Sequence, residues 1–162
     1  MRHVIYPGTF DPITNGHLDI IERATTLFDL VTIGVTTNPA KNPLFTVEER
    51  MAMIRDVTQH FSSVRVDSFT GLLVDYAQRL GACAIIRGLR AISDFEYEFQ
   101  MALVNRKLSD GIVTVFLMPN EKYTYLNSTI VKELALFGGD VSRFVPPDVE
   151  AQIKQKVAAR NK

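Results

Sequence analysis

The chain has 162 residues, 46% of them apolar and 22% charged, the composition of one ordinary globular domain with a full core rather than of a disordered or fibrous chain. Eighteen Lys and Arg balance eighteen Asp and Glu, which argues against a protein built to coat nucleic acid or an acidic membrane and leaves room for a local basic site. A single cysteine, Cys83, excludes an internal disulfide framework, no segment approaches the roughly 20 apolar residues of a membrane span, and the N-terminus has no signal-peptide pattern, so a cytoplasmic protein with no membrane or nucleic-acid partner is expected.

The first apolar run, "HVIYP", reads as a strand. The stretch "YPGTFDPITNGH" (6–17) follows, a junction longer than the roughly 2–6 residues usual between strand and helix. Leu18, Ile21, Ala24, Leu27 and Phe28 then recur at helical spacing over 15–28. "LVTIGVT" (30–36) is a second strand, and "TTNPAKNPLFT" is a loop carrying Lys41. Thr46 and Glu49 form a capping box ahead of Val47, Met51 and Ile54, which predicts a second helix. A short strand over 64–69 precedes "LLVDYAQRLG", a helix stopped by Gly81. The fourth strand, 82–87, buries Cys83. Ser93 and Glu96 make a second capping box, opening a helix to about 108 with Phe95, Phe99, Ala102 and Leu103 as its apolar face. A fifth strand spans 112–118, helices follow at about 128–137 and after Pro147, and the tail "KQKVAARNK" is polar enough to fray.

Strands alternating with helices imply right-handed crossovers and a parallel sheet covered on both faces. The fold predicted is α/β: a single domain, 1–162, with a Rossmann-like, doubly wound, five-stranded parallel sheet. Ligands in such sheets sit beyond the carboxyl ends of the strands, where the strand order reverses. With the order 3-2-1-4-5, the junctions after strands one and four face one crevice.

The first junction suits an anion. Gly8 permits a turn or a close approach, Thr9 offers a hydroxyl and an N–H, and Pro12 stiffens the loop. Asn15, Gly16 and His17 occupy a helix's first turn, where free N–H groups and the macrodipole favour phosphate. A plain N-cap with a solvated histidine is the competing explanation. The second junction, "IIRGLR", puts Arg87 and Arg90 at the sheet's carboxyl edge around Gly88, which suits a phosphate; a pair of surface arginines bonded to nearby acids is the competing explanation, and the position opposite the first junction favours ligand binding. Glu98 falls roughly 60° from Phe95 on its helix, bordering the core, placed either as a surface charge or to bond ribose or adenine. "YTYLNSTIVKE" (123–133) supplies hydroxyls and an amide at another helix start, an anion site or an N-cap. The common alternatives lack their signatures: there is no G-x-x-x-x-G-K-[ST], no G-x-G-x-x-G, no G-x-S-x-G, and His3, His17 and His60 lie too far apart for zinc spacing.

"GTFDPITNGH" resembles the T/H-x-G-H signature of the nucleotidyltransferase superfamily. With "IRGLRAISDFEYEFQMA" and "STIVKE" in the same order, the chain from Tyr6 to beyond Pro146 resembles the bacterial phosphopantetheine adenylyltransferases. The resemblance implies transfer of an adenylyl group from ATP to 4′-phosphopantetheine, giving dephospho-coenzyme A and pyrophosphate. It also implies Mg²⁺ with no protein ligand identified, a homohexamer, and coenzyme A as feedback inhibitor. By the same resemblance, His17 and Lys41 carry the catalysis. ATP falls to Thr9, Phe10, His17, Gly88, Leu89, Arg90, Glu98 and the segment Tyr123, Thr124, Tyr125, Leu126, Asn127, Ser128 and Thr129. Phosphopantetheine falls to Thr9, Lys41, Leu73 and Arg87. Asn127 departs from the family's run of small hydroxyl residues. The chemistry fits the residues: a phosphate acceptor needs no general base, and positioning plus charge neutralisation suffice. A sister adenylyl- or cytidylyltransferase, for example one using nicotinamide mononucleotide, a regulatory nucleotide-binding module and an oligomeric binding protein are the alternatives, separated by an acceptor assay.

Overall fold

The structure, a computed structural model, describes residues 1–37, 42–90 and 92–160. Five strands, β1 (His3–Gly8), β2 (Leu30–Thr36), β3 (Val64–Phe69), β4 (Ala84–Gly88) and β5 (Val113–Leu117), form one parallel sheet in the order β3-β2-β1-β4-β5. The helices between and after them are α1 (Asn15–Leu27), α2 (Val47–Thr58), α3 (Leu73–Arg79), α4 (Ile92–Leu108), α5 (Ser128–Leu136) and α6 (Pro147–Arg160), with a 3₁₀ turn at Glu121–Tyr123. The order reverses between β1 and β4, as the alternation predicts, and the two special junctions open there.

β1 and β2 are buried along almost their whole length, because helices cover both faces of the sheet. Side-chain alternation splits the core: Val4, Tyr6, Ile33 and Ile86 belong to one cluster, Ile5, Ile85, Phe69 and Tyr76 to the other. Gly34 sits where a Cβ would lie 3.1 Å from the Tyr76 ring and 3.2 Å from that of Phe69, so a glycine inside this strand admits two stacked aromatics. His3 is a strut rather than a ligand, with Nε2 2.8 Å from Thr32 Oγ1 and Nδ1 3.1 Å from the Leu80 carbonyl. His60 is exposed and far from it in sequence.

Three expectations change. Cys83 lies one residue before β4 and is exposed, because Ala82 and Ala84 take the inward positions of a period-two alternation; its Sγ lies 3.2 Å from the His3 carbonyl. Helix α4 begins at Ile92, so Ser93 falls inside the first turn instead of capping it. Phe95, Phe99 and Leu103 are each about half exposed rather than forming a core face, and Glu98 is the only buried residue between 94 and 108.

Candidate active site

The loop between β1 and α1 is organised around His17. Thr14 caps α1, its Oγ1 accepting the His17 N–H at 3.4 Å, while the Thr14 N–H donates to His17 Nδ1 at 3.1 Å. This is a capping box with imidazole in the place usually held by Glu or Gln. An Nδ1 that accepts from an amide leaves the neutral ring's proton on Nε2. Nε2 has no protein partner among the described residues, and the ring lines the crevice. The Phe10 ring packs edge-on at 5.0 Å between centroids. Burial lowers the His17 pKa to about 3, with the Arg90 and Arg87 guanidiniums adding to the shift. His17 therefore stands as an uncharged Nε2–H donor at a helix N-terminus.

Gly8, expected to permit a turn or a close approach, lines both recesses and also has a packing role. It is the last residue of β1, and a Cβ there would come within 2.9 Å of the Phe10 ring. Its bareness lets that ring fold back. Phe10 is itself the one non-glycine residue with positive φ among the described residues, at 49°.

Two buried charges hold the loop from behind. The Asp11 carboxylate, almost wholly buried, accepts the Leu44 and Phe45 N–H groups at 2.9 Å each and pairs with Lys132 Nζ of α5 at 2.7 Å. Arg50 of α2 donates through Nη1 to the Thr9 carbonyl at 2.6 Å and the Thr36 carbonyl at 3.2 Å, and through Nε to the Phe45 and Thr46 carbonyls at 3.2 Å. Ser128 Oγ donates to the Pro12 carbonyl at 2.7 Å, tying the start of α5 to the same loop.

The opposite wall comes from β4 and α4. Arg87 and Glu98 form a two-pronged pair, Nε to Oε2 at 2.7 Å and Nη2 to Oε1 at 2.5 Å, and Arg87 Nη1 donates to the Pro7 carbonyl at 3.1 Å. Arg90 bonds Asp94 at 3.0 Å and the Leu126 carbonyl at 3.3 Å.

One crevice between these walls is lined by Thr9, Phe10, His17, Arg87, Gly88, Arg90, Glu98, Tyr123, Leu126, Asn127, Ser128 and Thr129, residues predicted from three separate stretches. Leu73 lies apart from them in a second recess with Phe69, Gly71, Thr36 and Thr37; Pro7, Gly8, Thr9 and Arg87 border both. Leu89, Thr124 and Tyr125 line neither: Leu89 is spent on a backbone bond to Leu117, Thr124 Oγ1 caps back on Glu121, and Tyr125 packs against Phe144. Lys41 lies outside the described residues. Asn127 is the N-cap of α5, its side chain accepting the Ile130 N–H at 2.9 Å. Sequence reasoning passed over Asp11, Arg50 and Lys132. Arg50 had a signal, since it sits at the inward spacing 47-50-51-54 of α2.

Among the described residues no three His, Cys, Asp or Glu side chains converge as a metal cage, and both crevice carboxylates, Asp11 and Glu98, are engaged with cations of the chain.

A doubly wound α/β sheet with arginines, a neutral histidine and two helix N-termini at its switch point is a setting suited to an anionic ligand. A cytidylyltransferase-like family model matches residues 5–134. A phosphopantetheine adenylyltransferase of Alkaliphilus metalliredigens is 57% identical over 156 residues, covering 96% of this chain and 99% of the relative. One of Caldanaerobacter subterraneus is 54% identical, covering 96% and 98%. In three dimensions, a candidate nicotinate-nucleotide adenylyltransferase from Vibrio parahaemolyticus aligns with TM-score 0.72 at 16% identity over 97% of this chain and 95% of the other, a likeness of fold. The chain belongs to the cytidylyltransferase-like family of nucleotidyltransferase enzymes, among the phosphopantetheine adenylyltransferases. No helix among the described residues is long and apolar enough to cross a membrane.

Proposed function

We propose that the protein transfers the adenylyl group of ATP to 4′-phosphopantetheine by direct in-line attack. A phosphate oxygen of the acceptor bonds to the α-phosphorus of ATP as the bond from that phosphorus to the bridging oxygen breaks. Pyrophosphate leaves and dephospho-coenzyme A results, the step of coenzyme A synthesis that the relatives' name describes. The observation that carries this reading is His17: a neutral imidazole, its tautomer set by the Thr14 N–H, presenting Nε2–H into a crevice flanked by Arg87 and Arg90. Such a donor needs no proton of its own to be removed, and it strengthens as negative charge gathers on the reacting phosphoryl oxygens.

The other roles rest on the resemblance and on crevice placement. Thr9, Phe10, Gly88, Arg90, Glu98 and the start of α5 serve ATP; Arg87 and Leu73 serve the acceptor, whose apolar arm fits the second recess; Lys41 bridges to the acceptor phosphate. Leu89, Thr124 and Tyr125 belong to the same ATP set by resemblance alone. Mg²⁺ enters with ATP. The enzyme works in the cytoplasm, is inhibited by coenzyme A, and assembles as a homohexamer. The exposed apolar surface of α4 supports self-association.

The test is pyrophosphate release with ATP and Mg²⁺ across a panel of acceptors. Release with 4′-phosphopantetheine, and a kcat reduced about 10²–10³-fold in His17→Ala with ATP affinity nearly unchanged, supports the reading. Release only with nicotinamide mononucleotide moves the function to a sister enzyme. ATP binding without turnover favours a regulatory module.

A further inference from the structure

Arg50 lines neither recess, yet it is 3% exposed and pairs with no carboxylate among the described residues. A buried guanidinium with no carboxylate in direct contact, stabilised only through space by Asp11 and Glu48, is costly and calls for a reason. Its shortest bond is to the Thr9 carbonyl, at 2.6 Å. The next residue, Phe10, holds the left-handed backbone conformation that a bulky side chain seldom adopts. In a trans peptide the carbonyl and the following N–H point in opposite directions. Pulling the Thr9 carbonyl toward α2 therefore turns the Phe10 N–H away from α2. No acceptor among the described residues takes that N–H, and Thr9 and Phe10 both line the crevice. Strain of this kind persists only where the surroundings over-determine it.

We propose that Arg50 is a positioning residue for nucleotide binding: by holding the Thr9 carbonyl, it fixes the left-handed turn at Phe10 and aims the Phe10 N–H at a phosphate of ATP. This rests on the proposed ATP reading. Its bonds to the Thr36, Phe45 and Thr46 carbonyls anchor the guanidinium to the end of β2 and the start of α2, so the loop is registered against the sheet rather than against solvent. Lysine keeps the charge but cannot span four carbonyls from one planar fork.

The experiment compares wild type with Arg50→Lys by calorimetric titration with ATP and with adenosine, alongside steady-state kinetics. Expected are an ATP Kd about tenfold weaker, an adenosine Kd within about twofold, and a kcat lower by about 10–100-fold, the scale on which misplacement of a binding group acts. A general loosening of the fold would weaken ATP and adenosine together, and that result, like an unaltered Arg50→Lys enzyme, overturns the assignment. Where Arg50→Lys does not fold, the wild type decides: the Phe10 amide proton must shift on titration with ATP and not with adenosine, and an unmoved Phe10 amide overturns it. A wild type that binds no ATP takes down the functional reading itself, an outcome distinct from ATP binding that is indifferent to Arg50.

Discussion

The two walls of the crevice are finished to different degrees. The loop wall closes on itself: Thr14 and His17 cap each other, Asp11 satisfies two amides and Lys132, and Arg50 takes four carbonyls. The α4 wall is inverted. Its one buried residue between 94 and 108 is a carboxylate, locked to Arg87, while Phe95, Phe99, Leu103, Val104 and Leu108 face outward. Buried charge on the loop wall is matched by backbone that belongs to the same chain. Exposed apolar surface on α4 has no match among the described residues. One wall is thus complete in a single copy, and the other is tied on its crevice side by the Arg87–Glu98 and Arg90–Asp94 pairs while its outer apolar side stays exposed.

Asp11→Ala tests the closed wall hardest. It strands two amides and a partly buried lysine at once, and removing one member of such a pair costs about 3 kcal/mol. Thermal denaturation should show a Tm lower by roughly 6–12 °C for a chain of this size. A loss under about 1 kcal/mol would mean that solvent replaces the carboxylate freely, and that the loop wall is less self-contained than its bonds suggest.

Glu98→Gln makes the matching cut in the α4 wall. The amide still accepts one bond from Arg87, but the second prong and the charge are gone, at a cost of about 2 kcal/mol. On the proposed roles, with Glu98 serving ATP and Arg87 the acceptor, the variant should raise the KM for ATP, and release of the guanidinium should move the KM for 4′-phosphopantetheine as well. If ATP alone weakens, Glu98 acts on the nucleotide and not through Arg87.

These two residues differ in how plainly the sequence announced them. Strand order, the Thr46–Glu49 box and the pair of arginines after β4 were legible, because hydrophobic period, capping pattern and edge position are written in neighbouring residue types. Glu98 is expected from spacing at the border of a core face made by Phe95, Phe99, Ala102 and Leu103; the aromatic side of that face is exposed, and Glu98 takes the buried position instead. Its partner Arg87 was not foreseen as such. Asp11 was read past entirely: its partners are backbone amides some 33 residues away, and backbone groups leave no residue-type signature. The imidazole that closes the capping box escaped for a related reason, because that pattern is looked for as Glu or Gln. Cys83 and the α4 aromatics were misplaced by the same assumption, that apolar residues point into the chain's own core.

Histidine protonation probes the loop wall through pH rather than by removing a side chain. The folded pKa of His17 is about 3, below the roughly 6.5 of an unfolded histidine, so the unfolded chain binds more protons between those values. The His17 contribution is complete above pH 6.5 and drains as pH falls toward 3, by about 1.4 kcal/mol per pH unit. Denaturant unfolding of wild type and His17→Gln between pH 7.5 and 4.5 isolates it from the carboxylates. Wild type should lose stability faster by that slope. Parallel curves would show that the imidazole protonates in place, with Nε2–H and the crevice tolerating its charge.

The smallest expected change in the monomer's own fold, and the most telling for the open wall, is Leu103→Asp on α4. Leu103 is about half exposed, and a surface substitution of this kind alters the stability of the isolated fold by no more than about 0.5 kcal/mol. Secondary structure by circular dichroism should therefore be unchanged. If α4 is covered by further copies, a carboxylate in that apolar patch is desolvated without a partner, and assembly fails. Light scattering after size exclusion should then show a mass reduced from that of the assembled wild type, with a Tm that now rises less steeply with protein concentration. An unaltered mass would mean that no contact between copies runs through α4, and that its aromatic surface faces water.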